Sequence, residues 1–194
     1  MKCLCGKCTV KHCDKKINLA KRLQGKKNRN SGRYAEKKLK ALFGKWDIKI
    51  EPTISSGSLK QVTGKVKNQK YLFSGDFYSS DIIKGTRLKI ECKKKQYSVF
   101  KRYYELVNEY DSVWIKGFCI LINQDNFKDL INKALISNPY CVEDKQFKGL
   151  HKFFDQDNAD MVAMISPNPD TNRYNDFIFA IKENLFKKLI ERGK

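Results

Sequence analysis

Asp76 follows Gly75 directly, and fifteen residues later the chain reads Glu91-Cys92-Lys93. Side chains alternate along an extended strand. Glu91 and Lys93 therefore share one face, and Cys92 turns to the other, toward a core. If segments 71–77 and 86–94 pair as neighbouring strands, Asp76 comes close to Glu91. Two carboxylates a few ångströms apart raise each other's pKa unless a cation lies between them. Mg2+ (or Mn2+) is the natural cation, a hard ion bound by carboxylates that keeps waters able to attack phosphorus. Lys93 would then orient or help deprotonate that water, or neutralise charge on a scissile phosphate. The plainer reading is an ordinary solvated strand face, and Glu-x-Lys alone favours it. The upstream Gly-Asp weighs against it.

A third carboxylate belongs to the same argument. Ala35, Leu39, Leu42 and Phe43 recur at helical spacing, with Ser31 placed to cap the start and Gly44 to end it. Glu36 borders that apolar stripe. A carboxylate aimed at a sheet is costly without a partner; the alternative is a rim charge paired with Lys40 four residues on.

Residues 17–33 are basic with few apolar anchors, a linker or DNA-contacting arm. Residues 45–54 alternate as a strand, and 55–70 form a loop rich in Ser, Gly and Lys. In the 86–94 strand Leu88, Ile90 and Cys92 take one face and Arg87, Lys89, Glu91 and Lys93 the other. A helix over 98–110 fits Val99, Tyr103, Leu106, Val107 and Tyr110. One buried strand spans 113–122, and Phe127, Leu130, Ile131 and Leu135 mark another helix. Strands at 161–165 and 177–181 precede a last helix over 183–192. This order predicts a mixed α/β domain.

Composition sets the class of partner. Forty Lys+Arg against 21 Asp+Glu leave a net charge of +19, and nucleic acid phosphate is the usual complement of such a charge. With 41% hydrophobic and 12% aromatic residues the chain has material for a core. It has no apolar run long enough for a membrane span and no secretion signal at its start, which points to a cytoplasmic protein, or a nuclear one in a eukaryote. Lys37, Lys94, Lys95, Lys101 and Arg102, with Arg33, flank the proposed site as phosphate contacts, which position DNA without reading bases. Tyr97, Phe100 and Tyr103 are placed either to stack on opened bases or to pack, and packing is favoured.

Taken together, GRYAEKKLKALF, SSGS, SGDF, IECKKK and the apolar WIKGFCILI resemble the PD-(D/E)xK nuclease superfamily, and within it the archaeal-type Holliday junction resolvases found also in phages. The resemblance covers about residues 31 to 122. It implies a restriction-endonuclease-like core, a central mixed β-sheet flanked by helices. It matches Glu36 to the first-helix glutamate, Asp76 and Glu91 to the metal ligands, Lys93 to the motif lysine and Ser56 to a loop serine near the scissile phosphate, with Ser55 and Ser58 competing. It further implies Mg2+-dependent in-line hydrolysis that leaves a 5′-phosphate, and a homodimer acting on branched double-stranded DNA. On this reading residues 1–30 are a Cys-rich basic extension, 31–125 the nuclease core and 126–194 a C-terminal α/β extension packed on it. Other members of the superfamily act on mismatched or nicked DNA or in transposition, and a non-catalytic nucleic-acid-binding protein is the alternative from another class.

Four of the seven cysteines, Cys3, Cys5, Cys8 and Cys13, fall within the first thirteen residues. Four thiolates, with His12 in reserve, suit a structural Zn2+ site. The spacing is not that of a standard finger, and a basic tail with incidental cysteines or a redox role stands beside it. Cys92, Cys119 and Cys141 read as small core residues, and His151 as structural or exposed.

Overall fold

A computed structural model describes residues 14–53, 76–132, 139–143, 147, 150–151, 154, 159–168, 170–171, 173 and 175–191. The chain divides into two compact units, Met1–Tyr34 and Ala35–Lys194. The described part of the first unit, residues 14–34, is helical, and this helix, α1, has the bounds Asp14–Lys45. The segment 17–33 is thus helix rather than linker, and Ser31 lies inside α1 instead of capping it. Lys, Arg, Gln, Leu and Ala favour the helix over this stretch, and no proline interrupts it. It escapes a search for apolar periodicity because Leu19 and Leu23 are exposed and charge runs all round.

The second unit is a three-layer α/β structure. Among its described residues eight strands form one mixed sheet, in the order β1-β2-β3-β7-β8-β5-β4-β6. The strands are β1 (Ile50–Pro52), β2 (Phe77–Ser79), β3 (Lys89–Lys94), β4 (Ser112–Ile115), β5 (Cys119–Asn123), β6 (Pro139–Val142), β7 (Met161–Ile165) and β8 (Ile178–Lys182). Helices described besides α1 include α2 (Tyr97–Glu109), α3 (Gln124–Asn132) and α4 (Glu183–Glu191). Pairing is antiparallel except for β3 with β7 and β4 with β6. Of the strands in the 126–194 segment, β7 and β8 lie between β3 and β5, inside the sheet rather than beside it, while β6 lies at its edge.

Alternation along the central strands divides the core in two. Ile90, Ile120, Ile122, Met161, Ala163, Phe179 and Ile181 pack under α1, α3 and α4. Val113, Leu121, Val162, Met164, Ile178 and Ala180 pack on the opposite face under α2 and the segment carrying Phe147, Leu150 and Phe154. Strands covered on both faces read as continuous apolar runs, as β7 does. The ring of Phe43 from α1 packs near Phe127 of α3 at 6.0 Å and edge-on to Phe179 of β8 at 6.1 Å, which fixes that end of α1 on the sheet. Asp47, with φ 59°, then turns the chain out of the helix.

Three other expectations change. The apolar stretch 113–122 is not one strand but the hairpin β4–β5. Gly117 has φ 73°, and the Phe118 N–H donates to the Ile115 carbonyl at 2.9 Å, so the chain reverses there. Val99, expected on the apolar stripe of α2, is exposed; Phe100 and Tyr103 are buried and pack, as the favoured reading had them. Cys141 is exposed, unlike the buried Cys92 and Cys119. His151 is half-buried and stacks on Phe118. No helix of the described residues is long and apolar enough to cross a membrane.

Candidate active site

The hairpin leading into β3 sets the register of the site. Lys84 and Gly85 both have positive φ, 45° and 70°, as a tight two-residue hairpin turn of the primed kind requires. Ile83 and Thr86 exchange backbone hydrogen bonds of 2.8 and 3.0 Å across it. From there Phe77 faces Ile90 and Tyr78 faces Lys89.

Asp76 stands just before β2. Its N–H donates to the Ile90 carbonyl at 2.8 Å, and its carboxylate Oδ2 accepts the Cys92 N–H at 2.9 Å. Its own carbonyl accepts the Thr53 N–H at 2.9 Å and the Thr53 hydroxyl at 3.4 Å. Asp76 thus grips the peptide groups on either side of Glu91, and its side chain takes the place of a backbone acceptor where the β2–β3 ladder stops. Residues 71–75 of the expected 71–77 strand lie outside the described residues; Asp76 and Phe77 do meet the 86–94 segment, with antiparallel pairing from Phe77 opposite Ile90.

Glu91 is only 3% exposed, and its Oε1 is ion-paired with Lys93 Nζ. The two-residue period that puts them on one face is the one read from sequence; the burial is not, because a solvated outer face would leave Glu91 in water. Cys92 points into the core under α1. Its thiol is raised well above the ordinary range, first by burial and then by the negative charges of Asp76, Glu36 and Glu91, against the opposing Lys93. Three carboxylates from α1, the Asp76 turn and β3 therefore act on one buried thiol. Glu36 is half-buried beside Ala35, which anchors α1 in the core.

Among the described residues no group of three or more His, Cys, Asp or Glu stands close enough to cage a metal ion. Asp76 and Glu91 offer carboxylate oxygens, which suit a hard divalent ion, and one or two carboxylates are what Mg2+ ordinarily takes from a protein. In this geometry Glu91 is turned to Lys93, so holding an ion would exchange an ammonium for a metal at the same oxygen.

A fourth acid escaped the sequence reading. Glu51 of β1 pairs with Tyr78 in register, and the Tyr78 hydroxyl donates to Glu51 Oε2 at 2.8 Å. That bond and Lys49, 3.3 Å away, hold Glu51 below the usual carboxylate range. A three-residue strand is too short for its phase to be read from sequence.

The basic candidates divide. Arg33, Lys37 and Lys94 are exposed. Lys101 is exposed and paired with Glu105 at 3.6 Å. Arg102 lines a groove of about 550 Å3 between α2 and β6, with Glu105, Glu109, Tyr140 and Glu143. That groove contains none of Glu36, Asp76, Glu91 and Lys93, and its carboxylates make it a poor phosphate track. Lys95 is half-buried, and burial followed by repulsion from Lys93 lowers its pKa to about 8. Ser56, its rivals Ser55 and Ser58, and Cys3, Cys5, Cys8, Cys13 and His12 lie outside the described residues.

No family model, curated protein or solved structure matches this chain.

Proposed function

We propose that this chain is a metal-dependent endonuclease whose substrate is branched DNA, built on a restriction-endonuclease-like core and working as a homodimer. The observation that carries the proposal is Glu91, a carboxylate buried in the centre of a sheet with Asp76 locked onto the peptide groups at its sides. Folding alone does not call for a buried charge there, since ionic pairs in such places are commonly replaced by apolar side chains without loss of stability. The net charge of +19 supplies attraction for DNA, and the resemblance of residues 31–122 to junction resolvases supplies the branched substrate.

Asp76 and Glu91 would hold Mg2+ or Mn2+, with Glu36 in support. When bound, such an ion polarises a phosphoryl oxygen and lowers the pKa of water. The protein's own part is positional. The Cys92 N–H keeps the Asp76 carboxylate fixed, and Lys93, carried on the same strand face as Glu91, orients the attacking water or meets the charge growing on the phosphate. Arg33, Lys37 and Lys94 contact flanking phosphates. A structural zinc held by Cys3, Cys5, Cys8 and Cys13 completes the proposal for the N-terminal segment.

The test is a substrate panel at ~0.15 M salt, where phosphate contacts still discriminate. Four-way junctions, linear duplex and single strands are incubated with Mg2+ or Mn2+. Paired, symmetric nicks confined to the junction are expected. Equal cutting of linear duplex would move the protein to another DNA substrate, and absence of cutting with either metal would contradict nuclease activity.

A further inference from the structure

The charged row on β3 does not stop at Lys93. The Lys95 N–H donates to the Ile165 carbonyl at 2.8 Å, so the β3–β7 ladder continues to residue 95. The two-residue period then returns Lys95 to the face of Glu91 and Lys93, about 7 Å along the strand from Lys93. Lys94 and Lys101 are exposed, as lysines that only balance phosphate charge are; Lys95 is half-buried. On the same face β7 contributes Met164, in register with Lys93, and then Ser166; both are fully buried and neither titrates. The start of α2 adds the half-buried Tyr97. Burial, and after it the charge of Lys93, brings the Lys95 ammonium to about 8, where it gives up a proton far more readily than a solvated lysine.

We propose that Lys95 donates the proton to the leaving 3′-oxygen during strand scission, an inference that rests on the nuclease reading above. The water oxygen forms a bond to phosphorus, the P–O3′ bond breaks, and its electron pair goes to O3′, which takes the proton from Lys95 Nζ. The attacking water releases one proton to solvent, and the neutral Lys95 amine recovers one. The products are a 5′-phosphate and a 3′-hydroxyl.

The full-length protein is assayed with Mn2+ on two junctions, one unmodified and one with sulfur replacing the 3′-oxygen at the link that the wild type cuts. A thiolate departs without needing a proton. Lys95→Ala is expected to slow the oxygen substrate by about 10²–10⁴-fold and to cut the sulfur substrate within about tenfold of wild type. Lys95→Arg keeps the charge but holds its proton, so it is expected to stay slow on oxygen and normal on sulfur. It also carries the test should Lys95→Ala fail to fold. Because the donor must be protonated, the wild-type rate on oxygen should fall as pH rises above about 8, and the rate on sulfur should not. Equal losses on both substrates, or a full rate for Lys95→Arg on oxygen, would overturn this role and leave the nuclease reading standing. A wild type that cuts neither junction would overturn both.

Discussion

Strands β3 and β7 run side by side and parallel through the middle of one sheet, yet they bury opposite kinds of residue. All five positions of β7 are apolar and buried. At the positions in register, β3 puts Glu91 beside Val162 and Lys93 beside Met164. The same backbone environment therefore accepts valine and methionine on one strand and an ion pair on the next. Packing accounts for β7. It does not account for β3, where a buried carboxylate and its ammonium take the places of apolar side chains.

The largest effect should come from making β3 resemble β7. Replacing Lys93 alone with Met leaves Glu91 buried without its ammonium. A loss of about 3 kcal/mol is expected in denaturant titration, the low end for a broken buried pair, because the Lys93 side chain keeps 29% of its surface in solvent. The double variant Glu91→Met with Lys93→Met should return to within about 1 kcal/mol of wild type, since apolar replacement of a whole pair is often neutral. Cleavage should nevertheless stay down by about 10³-fold or more. A double variant as unstable as the single one would make the pair a structural device, and the contrast between the two strands would lose its meaning.

Lys84 provides a second contrast, a lysine held for the fold instead of for chemistry. Its Nζ donates to the Leu130 carbonyl at 2.7 Å and the Leu189 carbonyl at 2.8 Å, tying the last turns of α3 and α4 to the hairpin before β3. Burial lowers its pKa, yet the bonds fall where helix carbonyls concentrate negative charge. Lys84→Met should cost about 2 kcal/mol in a denaturant melt, the scale of charge-assisted hydrogen bonds. An unchanged midpoint would mean that these bonds contribute nothing net.

The smallest effect is expected away from the site, in the β4–β5 hairpin. No atom crowds a Cβ at Gly117, so Gly117→Ala meets strain from its φ of 73° and little else. About 1 kcal/mol of stability should be lost with the cleavage rate unchanged. A change in rate would show that the apolar half of the sheet is coupled to the carboxylates.

What the sequence disclosed followed from periodicity. The phase of β3, the burial of Cys92, and strands β7 and β8 all leave a two-residue pattern or a short apolar run between turn residues. Helices α2, α3 and α4 leave an amphipathic stripe. The early part of α1 leaves none, because a polar helix has no face to bury. The hairpin at Gly117 is hidden because strands covered on both sides are apolar throughout, and a lone Lys-Gly is a weak turn signal. Strand β6 is too short and mixed to show. The depth of Glu91 was not legible either, since alternation gives the face of a residue and not what covers it. Lys95 was visible as one more basic residue; its distinctness comes from burial and from Lys93.

The most direct test is at Asp76. Asp76→Asn keeps the size of the side chain and an oxygen for the Cys92 N–H, so the fold should survive while one negative charge is removed from the cluster. Cleavage of a four-way junction and its binding should be measured on the same preparation, with and without Mg2+. Mg2+-dependent cleavage is expected to fall by about 10³-fold or more while binding is kept or tightened, because the removed charge repelled phosphate. A folded Asp76→Asn protein that cuts at the wild-type rate would contradict the proposed metal role of Asp76.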